Sequence, residues 1–293
     1  DFSTIELSNL LEGELTKNNS SFQYLGNDFI FKNFSNNYKF KKFKESSIFY
    51  ENGISVFTNE NENIINIRQN ISGAKVFFIN GTIKDTIINF EGFEQPLEKE
   101  NINLKGFPIN ESGLTGCLSL INLEVRNISL SASNSSCEDS INFINTSGVI
   151  EDVTINASYS DALDIDFSNL KIKNINVNFA KNDCADFSYG NYVIKNLNLE
   201  NCGDKALSVG EKSELILENI NANNSMIGIA SKDSSIVTTK KITFNSVNTC
   251  LSAYKKKQEF EGGIINFNKM DCDFKNEKVS FDKYSLVNEN KNL

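Results

Sequence analysis

Aspartates recur at a fixed interval along this chain. Asp139, Asp161 and Asp183 are 22 residues apart, and so are Asp164 and Asp186, with Asn142 before them, Ser208 after them and Asp166 two places beyond Asp164. A fold that stacks such positions about 5 Å apart brings like charges together. The ladder then needs a cation, a hydrogen-bond network or a shared proton to persist. Oxygen ligands from Asp and Asn suit Ca²⁺, which makes Asp164, Asp166 and Asp186 the candidate metal ligands. Asp139, Asp161, Asp183 and Lys232 are the expected substrate contacts. Lys205, one interval after Asp183, reaches the same patch as a candidate catalytic base; its carboxylate neighbours equally favour a plain salt bridge. The competing reading of the ladder is a solvated acidic face with turn-capping bonds.

Composition removes several other chemistries. The 293 residues carry 29 Lys+Arg against 38 Asp+Glu, a formal charge of -9 and a pI near 4.8. No nucleic-acid partner is expected of so acidic a chain. There is no His, and Arg occurs only at Arg68 and Arg126. Ser-His-Asp and Cys-His nucleophiles, His-ligated zinc and guanidinium clusters are therefore excluded. No run of about 18 apolar residues occurs, so no membrane insertion is expected.

The elements that position the acids emerge from a repeat. Segments starting at Gly116, Asp139, Asp161, Asp183, Lys205, Ile227 and Thr249 follow one another at 23 and then five times at 22 residues. Each opens with strand-like alternation: Leu163, Ile165 and Phe167; Ala185, Phe187 and Tyr189; Leu207 and Val209. A second piece spaces its apolar residues unevenly, as in Ile172, Ile175 and Val177 or Ile194, Leu197 and Leu199. The extra residue implies a bend, and the Asn-rich position beside it (Asn127, Asn174, Asn196, Asn219) fits a left-handed corner. One such unit matches a rung of an all-β parallel β-helix, a solenoid with rungs of about 22 residues. The column Cys117, Ser140, Ala162, Cys184, Ala206, Gly228, Cys250 is uniformly small, as a tightly stacked position requires.

Six cysteines fall at related places in the repeat, predicting bridges Cys117–Cys137, Cys184–Cys202 and Cys250–Cys272. Each would close about one rung and stabilise by roughly 3 kcal/mol. Such bridges imply an oxidising, extracytoplasmic location: secreted, periplasmic or at the cell surface. Tyr189, Tyr192 and Tyr254 are candidate sugar-stacking faces, with Tyr189 aligned to an inward position and so read as core.

Solenoids need covered ends. The expected organisation is an N-terminal cap with irregular strands over 1–45, the β-helix over 46–275 and a polar tail over 276–293. Within the cap, IELSNLLEGELTK reads as an amphipathic helix, and FKNFSNNYKFKKFKE as an edge strand protected by lysines. NENIINIRQN, GAKVFFINGTIKDTIINFEG and NINLKGFPIN read as less regular rungs.

The repeat DALDIDFSNLKIKNINVNF, DCADFSYGNYVIKNLNLENCG, KALSVGEKSELILENINAN resembles the right-handed parallel β-helix, or pectin-lyase-like, superfamily over roughly residues 60 to 275. That resemblance implies the architecture, and a set of functions ranging from polysaccharide lyases and hydrolases to tailspikes and adhesins. One pectate lyase family of this fold holds Ca²⁺ with several Asp and uses a Lys base; Asp161, Asp164, Asp183, Asp186 and Lys205 are similar in kind. The expectation is a secreted or surface module that binds a polysaccharide or cell-surface glycan, with Ca²⁺ as its only cofactor. The alternatives are a Ca²⁺-dependent uronate lyase and a structural spacer of an appendage or fibre.

Overall fold

A computed structural model describes residues 21–25, 28–32, 38–93 and 113–290. Among these there are strands and no helix, and the strands stack as a parallel β-solenoid. The register is one rung per repeat: Leu163 pairs with Ala185 and Ala185 with Leu207. Equivalent positions therefore lie above one another, which is what groups the acids.

Each rung has a short strand followed by a long, bent one. Asp161–Asp166 is followed by Asn169–Ala180. The long strand pairs with the rung below as Ile150↔Ile172 and then Asp152↔Asn174, so Lys173 drops out of the ladder at the bend and the strand supplies two faces. Inward side chains from all three faces, including Leu163, Ile165, Ile172, Ile175 and Val177, are buried in one continuous core. The small column is buried as expected, and a Cβ at Gly228 would meet the Phe244 ring at 2.3 Å.

At the Asn-rich bend the backbone is left-handed at Asn127 but not at Asn174, Asn196 or Asn219, and the recurring left-handed corners lie elsewhere. One column of positive φ comprises Asn122, Asn145, Phe167, Tyr189, Glu211 and Asp233; a second comprises Asn134, Ala157, Phe179, Asn201, Asn224 and Ser246. At the bend, Asn174, Asn196 and Asn219 instead form an amide ladder. Asn174 donates to Asp152 Oδ1 at 2.8 Å, Asn196 to Asn174 Oδ1 at 2.9 Å, and Asn219 to Asn196 Oδ1 at 3.1 Å. Stacked amides provide a donor and an acceptor on every rung, which suits a constant register better than a left-handed backbone would.

Antiparallel hairpins cover the first end. Val76–Ile79 begins the coil and pairs antiparallel with Ser46–Glu51, which pairs in turn with Tyr38–Phe43. Tyr38–Phe43 has no other strand partner among the described residues, and Lys39 and Lys42 are exposed along it, as befits a protected edge. A second hairpin, Ile54–Asn59 with Ile64–Gln69, runs its second strand parallel to Ile87–Glu91. The segments expected as a cap helix and as the NINLKGFPIN rung lie outside the described residues. At the other end Ile264–Phe281 and Leu286–Glu289 continue the parallel pairing, so the coil extends past residue 275 into the expected tail.

All three bridges form as expected, and all six cysteines are used: Cys117–Cys137, Cys184–Cys202 and Cys250–Cys272, with Cα–Cα distances of 5.3, 5.4 and 6.5 Å. Among the described residues no helix is long and apolar enough to cross a membrane.

Candidate functional site

The short strands of successive rungs form one sheet whose outward face carries the acids in columns. Ser119, Asn142, Asp164, Asp186 and Ser208 are stacked in consecutive rungs. A flanking column places Asp139 under Asp161, followed by Asp183 and Lys205. On the other flank Asp166 lies under Ser188 and Ser188 under Gly210. The expected acids are thus brought to one wall.

Asp161 and Asp183 also hold the backbone. Asp161 Oδ1 accepts the Asp183 amide at 2.7 Å, and Asp183 Oδ1 accepts the Lys205 amide at 2.9 Å. Each carboxylate thereby ties its rung to the next, the turn-capping role open to Asp near a strand end. Lys205 Nζ lies 3.4 Å from Asp183 Oδ1 and also contacts the Asp204 carboxylate. Burial disfavours its charge, but Asp183 and Asp204 outweigh that effect and push its pKa up. The amine is therefore held protonated, the salt-bridge state rather than that of a base.

Lys232 reaches the wall from above. Gly210 sits beneath its stem, where an added Cβ would meet Lys232 Cε at 2.9 Å, and the missing side chain lets Nζ extend to within 3.5 Å of Asp186 Oδ2. Burial opposes its charge, while Asp186, Tyr254 and Glu211 raise its pKa on balance.

The acids at the centre are perturbed chiefly by desolvation. Burial, with Asp161, Glu138 and Asp166 nearby, takes Asp139 up to about 8, against a weaker opposing hydrogen bond from Thr115. Burial likewise takes Asp161 and Asp166 to about 6. Asp164 is pushed well above the carboxylate range by burial and by Asp139, Asp166 and Asp186. Its oxygen Oδ2 accepts from Asn142 Nδ2 at 3.0 Å, and its side chain is hydrogen-bonded to Asp166. Burial thus favours the neutral form of Asp164, which lessens the like charge stacked in the ladder.

Several polar atoms on this wall are buried without a partner: Ser119 Oγ, Asp139 Oδ2, Asn142 Oδ1, Asp186 Oδ1 and Ser208 Oγ. Four of them belong to the single column running through Asp164. Buried polar groups are nearly always bonded, so each of these atoms is a desolvation cost carried by the column. The expected calcium ligands Asp164, Asp166 and Asp186 share the wall, but among the described residues no group of three or more His, Cys, Asp or Glu side chains converges to hold a metal ion.

The aromatic residues are arranged differently from the sequence expectation. Tyr189 is not core: it occupies a left-handed corner, 42% exposed, and stacks on Phe167, itself 54% exposed, at 4.7 Å between centroids and 9° between planes. Both alternation patterns end one residue earlier than they read, because the corner turns these rings outward. Tyr192 is the buried one, its hydroxyl donating to the carbonyls of Ile165 at 3.0 Å and Ser188 at 2.9 Å. Tyr254 is half-buried at the upper end of the wall.

Sequence reasoning missed the wall's rim. An insertion lengthens the step from Thr249 to its partner Glu277. Its amides at Lys256 and Lys257 both donate to Asp233 Oδ1 at 2.7 Å, which folds the loop inward. Lys257 Nζ then pairs with Glu211 Oε1 at 2.6 Å, Ser188 donates to Glu211 Oε2 at 2.6 Å, and Phe260 meets Tyr189 edge-on at 6.3 Å. The signal was the break in the repeat at KKKQEFEGG. Lys75, buried below Asp139 with Nζ on the Thr115 carbonyl at 3.0 Å, had no signal because its rung is irregular.

Comparison of the chain with protein-family models, with curated proteins and with solved structures finds no match. The chemistry of the wall therefore rests on its own geometry. A shallow groove of about 450 Å³ over the next sheet is lined by Val149, Leu170, Lys171, Val193 and Ile216.

Proposed function

We propose that the chain is an extracytoplasmic recognition module that binds a glycan along the acid wall. The observation that carries this reading is the exposed, stacked Phe167–Tyr189 pair beside the partly exposed acids Asp161, Asp164, Asp166 and Asp186. A polyhydroxylated chain supplies hydroxyl groups at a spacing that a rigid ladder can meet. The exposed Phe167–Tyr189 pair at the edge of the same wall offers apolar surface for the C–H face of a sugar ring. The likeness of the repeat to pectin-lyase-like β-helices points to the same ligand class, and three bridges without a free thiol suit an oxidising compartment.

Recognition takes precedence over uronate β-elimination because that reaction needs a neutral amine at Lys205, and Asp183 and Asp204 hold it charged. The spacer reading leaves the exposed Phe167–Tyr189 pair without a role. A glycan array followed by calorimetry on the hits tests the proposal. Binding should weaken at least about tenfold in Phe167→Ala/Tyr189→Ala. Failure to retain any glycan on the array, with a correctly folded chain, refutes it.

A further inference from the structure

We infer that the face formed by the second half of the long strands binds a crystalline polysaccharide whose chains are stacked through acetamide groups, a β-1,4-linked N-acetylglucosamine polymer of the chitin type. The inference goes beyond the acid-wall reading and uses a different face. The central outward column of this sheet comprises Ser131, Thr154, Asn176, Asn198, Asn221 and Thr243 in six consecutive rungs. Ser131 donates to Asn89 Oδ1 at 2.8 Å and Asn89 to Asn66 Oδ1 at 2.9 Å, which carries the column two rungs further down. In a chain that is 23% charged, no charged residue enters this column before Asp271. From Ser129 to Ser133, and at the equivalent positions of the rungs above, the strands pair without a register shift, so the column is straight as well as neutral.

The amides of the column are fixed in place by one another. Asn198 donates to Asn176 Oδ1 and Asn221 to Asn198 Oδ1, both at 2.9 Å. A primary amide has two N–H groups and two acceptor lone pairs; the ladder uses one of each and leaves one of each for a ligand. Hydrogen-bonded amides on neighbouring strands repeat at about 4.8 Å, and polysaccharide chains stacked through acetamide C=O···H–N bonds take a similar repeat because the same bond sets it. Successive rungs therefore meet successive acetamides in phase, amide against amide. Charge points the same way: a neutral column in a chain of net charge -9 suits a neutral polymer, and a polyuronate would be repelled by the molecule as a whole. An open sheet face gives a short soluble sugar few contacts, whereas a periodic solid sums the same weak contact over every rung. The column has no aromatic residue, so the amide, and not ring stacking, is the group that discriminates.

Sedimentation of the full chain with crystalline chitin, and with crystalline cellulose, which has the same linkage and no amide, tests the inference, with salt present to screen the chain's net charge. Chitin should retain the chain at least about tenfold better than cellulose, and a soluble N-acetylglucosamine tetramer should not compete, since a single chain presents no stack. Thr154→Lys/Asn221→Lys, which sets two bulky charges in the column, should lower retention on chitin about tenfold or more, and Phe167→Ala/Tyr189→Ala on the acid wall should leave it unchanged. Circular dichroism checks that both variants are folded, and Thr154→Lys alone replaces the double variant if that one is not. Equal retention on chitin and cellulose overturns the inference, as does retention on chitin that survives the charges in the column. Retention lost only with the aromatic pair also overturns it, by assigning the polymer to the acid wall. No retention on chitin refutes this inference alone, and a blank glycan array beside retention through the amide column refutes the acid-wall reading alone.

Discussion

Removing the Cys184–Cys202 bridge tests how the solenoid holds the acid wall together. Cys184 is flanked by Asp183 and lies in the column between Ala162 and Ala206, while Cys202 pairs in register with Ala180 and Ser225. Alanine already occupies neighbouring positions in both columns, so Cys184→Ala/Cys202→Ala introduces no steric conflict. The bridge closes 18 residues of sequence separation, which the chain-entropy treatment converts to about 3 kcal/mol. Both sulfurs are buried, and losing each adds about 1 kcal/mol, comparable to a deleted methylene. The double variant should therefore unfold about 4–5 kcal/mol more easily than wild type, and Cys202→Ala alone about 4 kcal/mol more easily, since it loses the whole crosslink and one sulfur. Urea denaturation followed by far-ultraviolet circular dichroism at a fixed temperature measures both, each variant extrapolated with its own m-value because losing the crosslink also expands the unfolded chain. A double variant within about 1 kcal/mol of wild type would refute the crosslink as the stabilising feature. So would single and double variants that differ from each other by more than the single differs from wild type, because the loss would then be packing.

The remaining expectations follow the same reasoning. Asp139 is raised to about 8 by burial, with Asp161, Glu138 and Asp166 facing it and Thr115 and Lys75 opposing. Its native state therefore holds a proton that the unfolded chain releases near the ordinary carboxylate value, and stability falls as pH rises through that window up to about 8. Asp139→Asn should melt close to wild type at about pH 4 and several degrees higher above pH 8, read by thermal melts across pH; a constant offset would show that the titration is not Asp139's. Asn196→Ala leaves Asn174 Oδ1 and Asn219 Nδ2 without ladder partners and should cost about 1–2 kcal/mol in urea. Gly148 has φ 124° and a Cβ there would sit 1.9 Å from the Val125 carbonyl oxygen; Gly148→Ala should cost about 3 kcal/mol or more, and an unchanged denaturation midpoint would contradict the packing at that corner.

What was legible in the sequence was whatever depends on phase alone. The constant interval decides which residues are stacked, so the small column, the acid columns and the cysteine partners could be read without coordinates. Position along the rung was harder. Phe167 and Tyr189 continue the alternation of their strands on paper, and nothing in their residue types announces a left-handed backbone, since Asn is the residue that usually does. The Asn at 174, 196 and 219 misled for the complementary reason: one side chain serves both left-handed corners and amide ladders, and stacking in register selects the ladder. Glu211, Lys257 and Phe260 escaped because an insertion has no phase, so its contacts depend on where Asp233 anchors its amides.

The acid wall and the bridges belong to one design. Stacking Asp164 on Asp186, and Asp139 beneath Asp161, opposes the pairing of the strands that carry them. The fold offsets that repulsion in three ways: burial leaves Asp164 and Asp139 in their neutral form, lysines from higher rungs descend to Asp183 and Asp186, and Cys117, Cys184 and Cys250 stand in the column beside the first acids. A crosslink at that edge acts where like charge would separate the rungs, and it does so without occupying the outward face.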